Sequence, residues 1–291
     1  MLDPEFLRRL ERLAIVARKT LKGVGQGERR SKRHGGSVEF SDYRRYSPGD
    51  DTRRIDWYAY ARLEQMFLKL YVEEQDLALH VLLDQSASMG TGQPPKLPFA
   101  RELAAALSYV ALAAGDRVTL RVVRGAEAAR PFGPLRGRHG LTRLLRHLSQ
   151  DSAPRGQTSL DGAVRAFLSR SPARGVVLLI SDLLDPAGVR GPLERLRYSG
   201  FEVHVLHVVA PDELEPQVGA DLDLEDVETG RVVTVALDQR AIRAYREAFA
   251  AFQAEVQTLC RRHGIGYVLA RSDVPVEELV LGALRKSELV R

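Results

Sequence analysis

The sequence predicts an α/β fold built on a doubly wound, mainly parallel sheet, and three observations carry that prediction. From about Leu77 onward, short and continuously apolar runs alternate with amphipathic helical patterns. Continuous apolarity suits strands buried on both faces, as in parallel sheets whose connecting helices cover the two sides. Right-handed crossovers then wind the chain in both directions from a central strand. Finally, 291 residues at 44% hydrophobic and 28% charged suit a soluble globular chain with length enough for a large core.

Taken in order, Asp3-Pro4 is a good helix opening. Phe6, Leu10, Leu13, Ala17 and Leu21 continue at helical spacing until Gly23, Gly25 and Gly27 stop the pattern. Arg29–Arg33 is the densest positive run in the chain, and residues 34–62 show little periodicity. Met66–Val72 reads as a strand. The strands expected after it are Leu77–Leu83, Arg117–Val123, Gly175–Ser181, Phe201–Val209 and Ile265–Ala270. Helices are expected at Pro98–Ala114, Leu141–Ser149, Leu160–Ser169, Val189–Tyr198, Asp238–His263 and Val276–Lys286. Two alternating runs around Thr229-Gly230 predict a β-hairpin insert at Asp221–Leu237. The seam Ile242, Tyr245, Phe249, Phe252, Val256, Leu259 reads first as a long helix lying on the sheet, with a coiled-coil surface as the alternative. The division expected is an N-terminal region, 1–75, of helix, basic loop and arm docking on a main domain, 76–291.

Several function classes fall away early. Cys260 stands alone, so there is no disulfide framework and no cysteine zinc cluster. No stretch approaches the roughly 20 apolar residues of a membrane span. The N-terminus lacks the layout of a secretory signal, so the expected location is cytoplasmic. Ser86 is outside any Gly-x-Ser-x-Gly elbow, and no phosphate-binding loop is present. His204 and His207, three apart on one strand, are expected on opposite sides of the sheet.

The chemistry gathers where strands meet loops. Val81–Leu83 closes on Asp84-x-Ser86-x-Ser88. Gly156-Gln157-Thr158-Ser159 opens a helical pattern, and Val176–Ser181 closes on Asp182. Asp-x-Ser-x-Ser alone is also what a capped turn looks like. Three such loops at the edge where open α/β sheets collect ligands point instead to a hard cation held by oxygens.

That set resembles the metal-ion-dependent adhesion site of von Willebrand factor A-type domains, over roughly residues 76–275. The resemblance implies Ser86, Ser88 and Thr158 as direct ligands of Mg²⁺, with Mn²⁺ or Ca²⁺ as substitutes, and Asp84 and Asp182 as nearby or water-mediated ones. A second stretch, Ser37-Val38-Glu39-Phe40-Ser41-Asp42-Tyr43-Arg44-Arg45-Tyr46-Ser47-Pro48-Gly49-Asp50-Asp51 followed by Arg53-Arg54-Ile55-Asp56-Trp57, resembles the bacterial family called domain of unknown function 58. Physically, Pro48-Gly49-Asp50-Asp51 is a turn sequence. The neighbouring Arg and Asp residues are expected to pair, and Trp57 and Tyr58 to pack the arm onto the main domain. A partner-binding surface is the alternative for this stretch.

The resemblance implies a non-enzymatic, metal-dependent protein-binding module. It further implies a MoxR-type AAA+ ATPase as partner and a client protein presenting Asp or Glu to the metal. Two alternatives come from the residues. One is a Mg²⁺-dependent phosphotransferase or phosphatase with Asp84 as nucleophile, against which Ser86 replaces an acid/base carboxylate and no lysine stands in an obvious position. The other is nucleic-acid binding through Arg29–Arg33, although Asp42, Asp50 and Asp51 interrupt the positive field.

Overall fold

The computed structural model describes residues 3–16, 38–73, 77–124, 127–128, 130–150, 154, 156–170, 172–216, 221–225, 227–228, 230, 232–236, 238–287 and 289–290. Arg29–Arg33 and the helical positions Ala17 and Leu21 lie outside them. The chain divides into two compact units, residues 1–22 with 77–291, and residues 23–76. Helix α1 (Pro4–Leu10) falls in the larger unit, where the sequence reading had grouped it with the arm. Its Phe6 and Leu10 are buried in the apolar cluster that also holds the longest run of core helix. The helix ends well short of the spacing that predicted it. Ile15 forms a β-bridge with Val290 and the Val16 N–H donates to the Leu289 carbonyl, so tertiary pairing overrides the periodicity.

In the smaller unit, β1 (Val38–Arg45) pairs antiparallel with β2 (Phe67–Glu73), and α2 (Trp57–Leu63) lies between them in sequence. Strand β1 falls in the stretch without visible periodicity, and a register shift between Phe40 and Asp42 breaks its alternation. The acids of the signature serve turns and caps. Asp56 caps α2 by accepting from the Tyr58 and Ala59 N–H groups, and its other oxygen accepts from the Tyr43 hydroxyl at 2.7 Å. Asp50 accepts from the Ser47 N–H at 2.8 Å and pairs with Arg44 at 2.7 Å, and these two hold its carboxyl below the usual carboxylate range. Trp57 and Tyr58, expected to be packing residues, are 58% and 85% exposed. They open a helix that buries no residue.

The larger unit begins with β3 (Ala78–Asp84), followed by α3 (Lys96–Ala113), β4 (Arg117–Arg124), β5 (Glu127–Ala128), β6 (Phe132–Leu135) and α4 (Gly137–Gln150). It continues with α5 (Leu160–Leu168), β7 (Val176–Ser181), α6 (Arg190–Tyr198), β8 (Glu202–Val209) and α7 (Pro211–Leu214). Last come β9 (Asp221–Glu225), β10 (Val232–Ala236), α8 (Gln239–His263), β11 (Gly266–Arg271) and α9 (Val276–Leu279).

The main sheet runs β11-β8-β7-β3-β4-β5, with β6 also on β4. Strands β3, β4, β7, β8 and β11 are parallel, and the short β5 and β6 run antiparallel to β4. This is the α/β, mainly parallel sheet that the sequence predicts, with the hairpin β9–β10 forming a separate two-stranded sheet. Helices cover both faces. One apolar cluster joins Leu79, Val81 and Leu83 to α3, α4 and α1. The other joins Leu82, Val177 and Leu179 to α5, α6 and the C-terminal half of α8. Alternation along β8 sends Val203 and Val205 to the second cluster and Leu206 and Val208 to the first. His204 and His207 therefore do face opposite sides. The α8 seam packs on the sheet through Val256 and Leu259, while Tyr245 near its start is largely exposed. Among the described residues no helix is long and apolar enough to cross a membrane.

Candidate functional site

From β3 the chain crosses to β4 on one side and later returns to β7 on the other, so the chain reverses its winding between β3 and β7. The carboxyl ends of two such strands open the crevice where doubly wound sheets bind ligands. Asp84 ends β3 and Ser181-Asp182 ends β7, on strands in direct parallel register. A short 3₁₀ turn, Ala87–Gly90, follows Ser86. The Ala87 N–H donates to the Gly156 carbonyl at 3.1 Å, which ties this turn to the loop carrying Thr158. The Leu160 N–H donates to Asp185 Oδ2 at 2.7 Å, tying that loop to the one after β7. The three loops named from sequence thus meet at one rim, and Asp84, Ser86, Ser88, Thr158 and Asp182 are all buried.

Burial makes the polar partners decisive. Asp84 accepts from the Ser86 N–H at 2.9 Å and from the Ser181 hydroxyl at 2.6 Å. The Ser86 and Ser88 hydroxyls lie 3.0 Å apart and bond one another. Burial, and then the charge of Asp182, push the Asp84 carboxyl up to about 6. Ser181 Oγ also accepts the Leu183 N–H at 2.9 Å. This bond steadies a sharp turn: Leu183 is buried with φ +62, a left-handed conformation that costs a branched side chain energy and collects at functional sites.

Asp182 differs in having a cation of its own. Lys96 Nζ donates to its Oδ2 at 2.8 Å and is shared with Glu213 of α7, while the Leu184 N–H donates to Oδ1 at 3.3 Å. Lys96 is fully buried. Burial works against its charge, but Asp182 and Glu213 outweigh it and hold the ammonium above its ordinary pKa. The lysine arrives on a closely fitted loop: Gly92 has φ +95, and a Cβ there would lie 2.3 Å from Ala210 Cβ. Below Asp182, His207 bonds the Tyr267 hydroxyl at 2.8 Å, and burial pushes its pKa down to about 4, so the ring is neutral.

Lys96, Ser181, Glu213 and Glu228 escaped the sequence reading. The expectation that no lysine stands in an obvious position is corrected by this geometry, which brings Lys96 from beyond a Pro-rich loop to Asp182. A signal did exist, because Lys96 is the single lysine between Lys69 and Lys286 in an arginine-rich chain. Glu228 had none. It lies in the turn of the β9–β10 hairpin and accepts from the Thr158 N–H at 3.1 Å and from the Thr158 hydroxyl at 2.8 Å.

Hydroxyl and carboxylate oxygens are the donor set of a hard divalent cation. Among the described residues no three His, Cys, Asp or Glu side chains gather as a metal cluster, so a cation at this rim would lean on the hydroxyls. The residues fit such an ion. Both oxygens of each aspartate already accept from protein donors, which suits them to act through water. Asp84 is a buried carboxylate with no cationic side chain bonded to it among the described residues.

A family model described as Protein of unknown function DUF58 matches residues 42–257. The chain belongs to the DUF58 family. Uncharacterized protein Rv1480 of Mycobacterium tuberculosis is 30% identical over 275 residues, covering 93% of this chain and 86% of that protein. Uncharacterized protein Mb1516 of Mycobacterium bovis matches to the same extent. Among solved structures, the conserved hypothetical protein BatB from Bacteroides thetaiotaomicron is similar with a TM-score of 0.45 and 19% identity, over 72% of this chain and 98% of that one. A von Willebrand factor type A protein from Catenulispora acidiphila gives 0.35 and 18%, over 48% of this chain and 35% of that one. Manganese-loaded TRAP protein from Plasmodium vivax gives 0.33 and 19%, over 45% and 56% respectively. At these scores none of the solved structures bears on the site of the DUF58 chain.

Proposed function

We propose that this DUF58 protein is a non-enzymatic protein-binding module whose rim takes Mg²⁺, or Mn²⁺ or Ca²⁺ in its place. The observation that carries the reading is the junction of three loops, Ala87 N–H to Gly156 carbonyl and Leu160 N–H to Asp185, around five buried oxygen-bearing residues. Ser86, Ser88 and Thr158 would hold the ion through their hydroxyls, and Asp84 and Asp182 would orient its water. A bound cation would supply an electrophilic position for an Asp or Glu of a client protein. Neutral hydroxyl ligands leave more of the ion's charge for that visitor than carboxylates would. Lys96 keeps Asp182 compensated, so the loop after β7 is set before any ion arrives. The family resemblance supports a MoxR-type AAA+ ATPase as the working partner. In titration calorimetry the wild type should bind Mg²⁺ or Mn²⁺, and Ser86→Ala should not. Capture of the ATPase or client should fall with EDTA and with Ser86→Ala, and undiminished capture in both would sink the mechanism.

One observation favours a second reading. Lys96 beside Asp182 supplies the lysine that a Mg²⁺-dependent phosphotransferase needs and that the sequence reading found missing. Ser86 still stands where an acid/base carboxylate would be required. Metal-dependent turnover of simple phosphate esters, lost in Asp84→Asn, would establish it.

A further inference from the structure

The β9–β10 hairpin is not part of the main sheet, yet among the described residues it reaches the rim through Glu228. Glu228 takes both of the protons that Thr158 can donate, the amide's on Oε2 and the hydroxyl's on Oε1, across 70 residues of sequence. A threonine hydroxyl has one proton and two lone pairs. With its proton committed to Glu228, the hydroxyl has only lone pairs left to offer, which is the form in which it binds a cation. A carboxylate placed in this way fixes a ligand's orientation and raises its basicity. It also brings a negative charge within one side chain of the rim, which favours a cation there. An isolated two-stranded hairpin is marginal in water, so this one depends on such ties to stay docked.

We infer that Glu228 is a positioning residue for the cation site, and that through it the β9–β10 hairpin and the bound cation stabilise one another. This rests on the metal reading proposed above. Linkage makes the effect reciprocal: whatever the docked hairpin adds to cation affinity, the cation returns to hairpin docking. The hairpin then becomes the part of the molecule that reports whether the rim is loaded. A rival role for the same contact has the opposite sign. If Glu228 were a built-in competitor for the client's acid group, removing it would leave cation affinity unchanged or raise it.

The test pairs calorimetric Mn²⁺ titration with amide hydrogen exchange, on the full chain and on Glu228→Gln, an isosteric change in a turn. Thermal unfolding is run alongside to show that the variant folds. Glu228→Gln should weaken Mn²⁺ binding about 10- to 100-fold, the usual effect of losing an outer partner of a metal ligand. Exchange at β9 and β10 should slow when Mn²⁺ is added to the wild type and stay unchanged in the variant. Glu228→Asp, which keeps the charge, should recover part of the affinity. Unchanged or tighter Mn²⁺ binding in Glu228→Gln overturns the inference while leaving the metal site standing, and so does a hairpin whose exchange ignores Mn²⁺ in the wild type. A wild type that binds neither Mn²⁺ nor Mg²⁺ removes the metal reading itself and the inference with it.

Discussion

The loops after β3 and β7 make an instructive pair. Each carries an aspartate just past a buried parallel strand, and the strands are neighbours in register. Asp182 is compensated by Lys96 from α3, at 2.8 Å. Asp84 has instead the Ser86 N–H and the hydroxyls of Ser181 and Ser86, and burial, then the charge of Asp182, lifts its pKa to about 6. Asp182 has a protein cation beside it, and among the described residues Asp84 has none bonded to it. Residue type is the same in the two, and the difference follows from what the rest of the fold brings alongside.

The most severe way to break this comparison is Lys96→Met, which leaves Asp182 and Glu213 without their ammonium. Stripping one partner from a buried pair typically costs about 3–5 kcal/mol, measurable by urea unfolding. A loss under about 1 kcal/mol would mean that the pair is not ionised as drawn.

Next, matched carboxamides should differ in sign. Asp182→Asn should destabilise the metal-free protein by about 2 kcal/mol at neutral pH, because it leaves the buried Lys96 with Glu213 alone. Asp84→Asn should leave stability unchanged or raise it by about 1 kcal/mol, because it removes a charge that folding disfavours. Equal effects from the two would erase the distinction.

The third test is a pH dependence. The folded pKa of Asp84 lies above the ordinary aspartate value of 3.8, at about 6, so the folded state holds more protons than the unfolded state between those values. Metal-free stability of the wild type, taken relative to Asp84→Asn, should therefore fall as pH rises from 3.8 to about 6. Saturating Mg²⁺ should abolish or reverse that slope, since a cation favours the ionised carboxylate. A flat difference in EDTA would place Asp84 in a more polar setting than its burial suggests.

The five parallel strands of the main sheet were legible because each is a short, largely apolar run bounded by turn residues, whereas the short antiparallel β5 and β6 carry no such run. The five rim residues were legible for a related reason: each lies at the end of a strand or in a loop between a strand and a helix, positions that topology sends to one edge. Strand β1 was hidden because the register shift between Phe40 and Asp42 breaks its alternation. Helix α1 was over-read, since the signal of Leu13 onward could not show that Ile15 would pair with Val290.

The sequence by itself determined the layered, mainly parallel sheet and which oxygen-bearing loops fall at its edge, because those follow from local periodicity and from where strands meet loops. Only the tertiary structure decided how those oxygens are charged and held. Lys96 meets Asp182 across 86 residues and Glu228 meets Thr158 across 70. Contacts at such separations leave no trace in spacing. They exist because a buried charge or hydroxyl must find a partner, and the folded chain supplies whichever lies within reach.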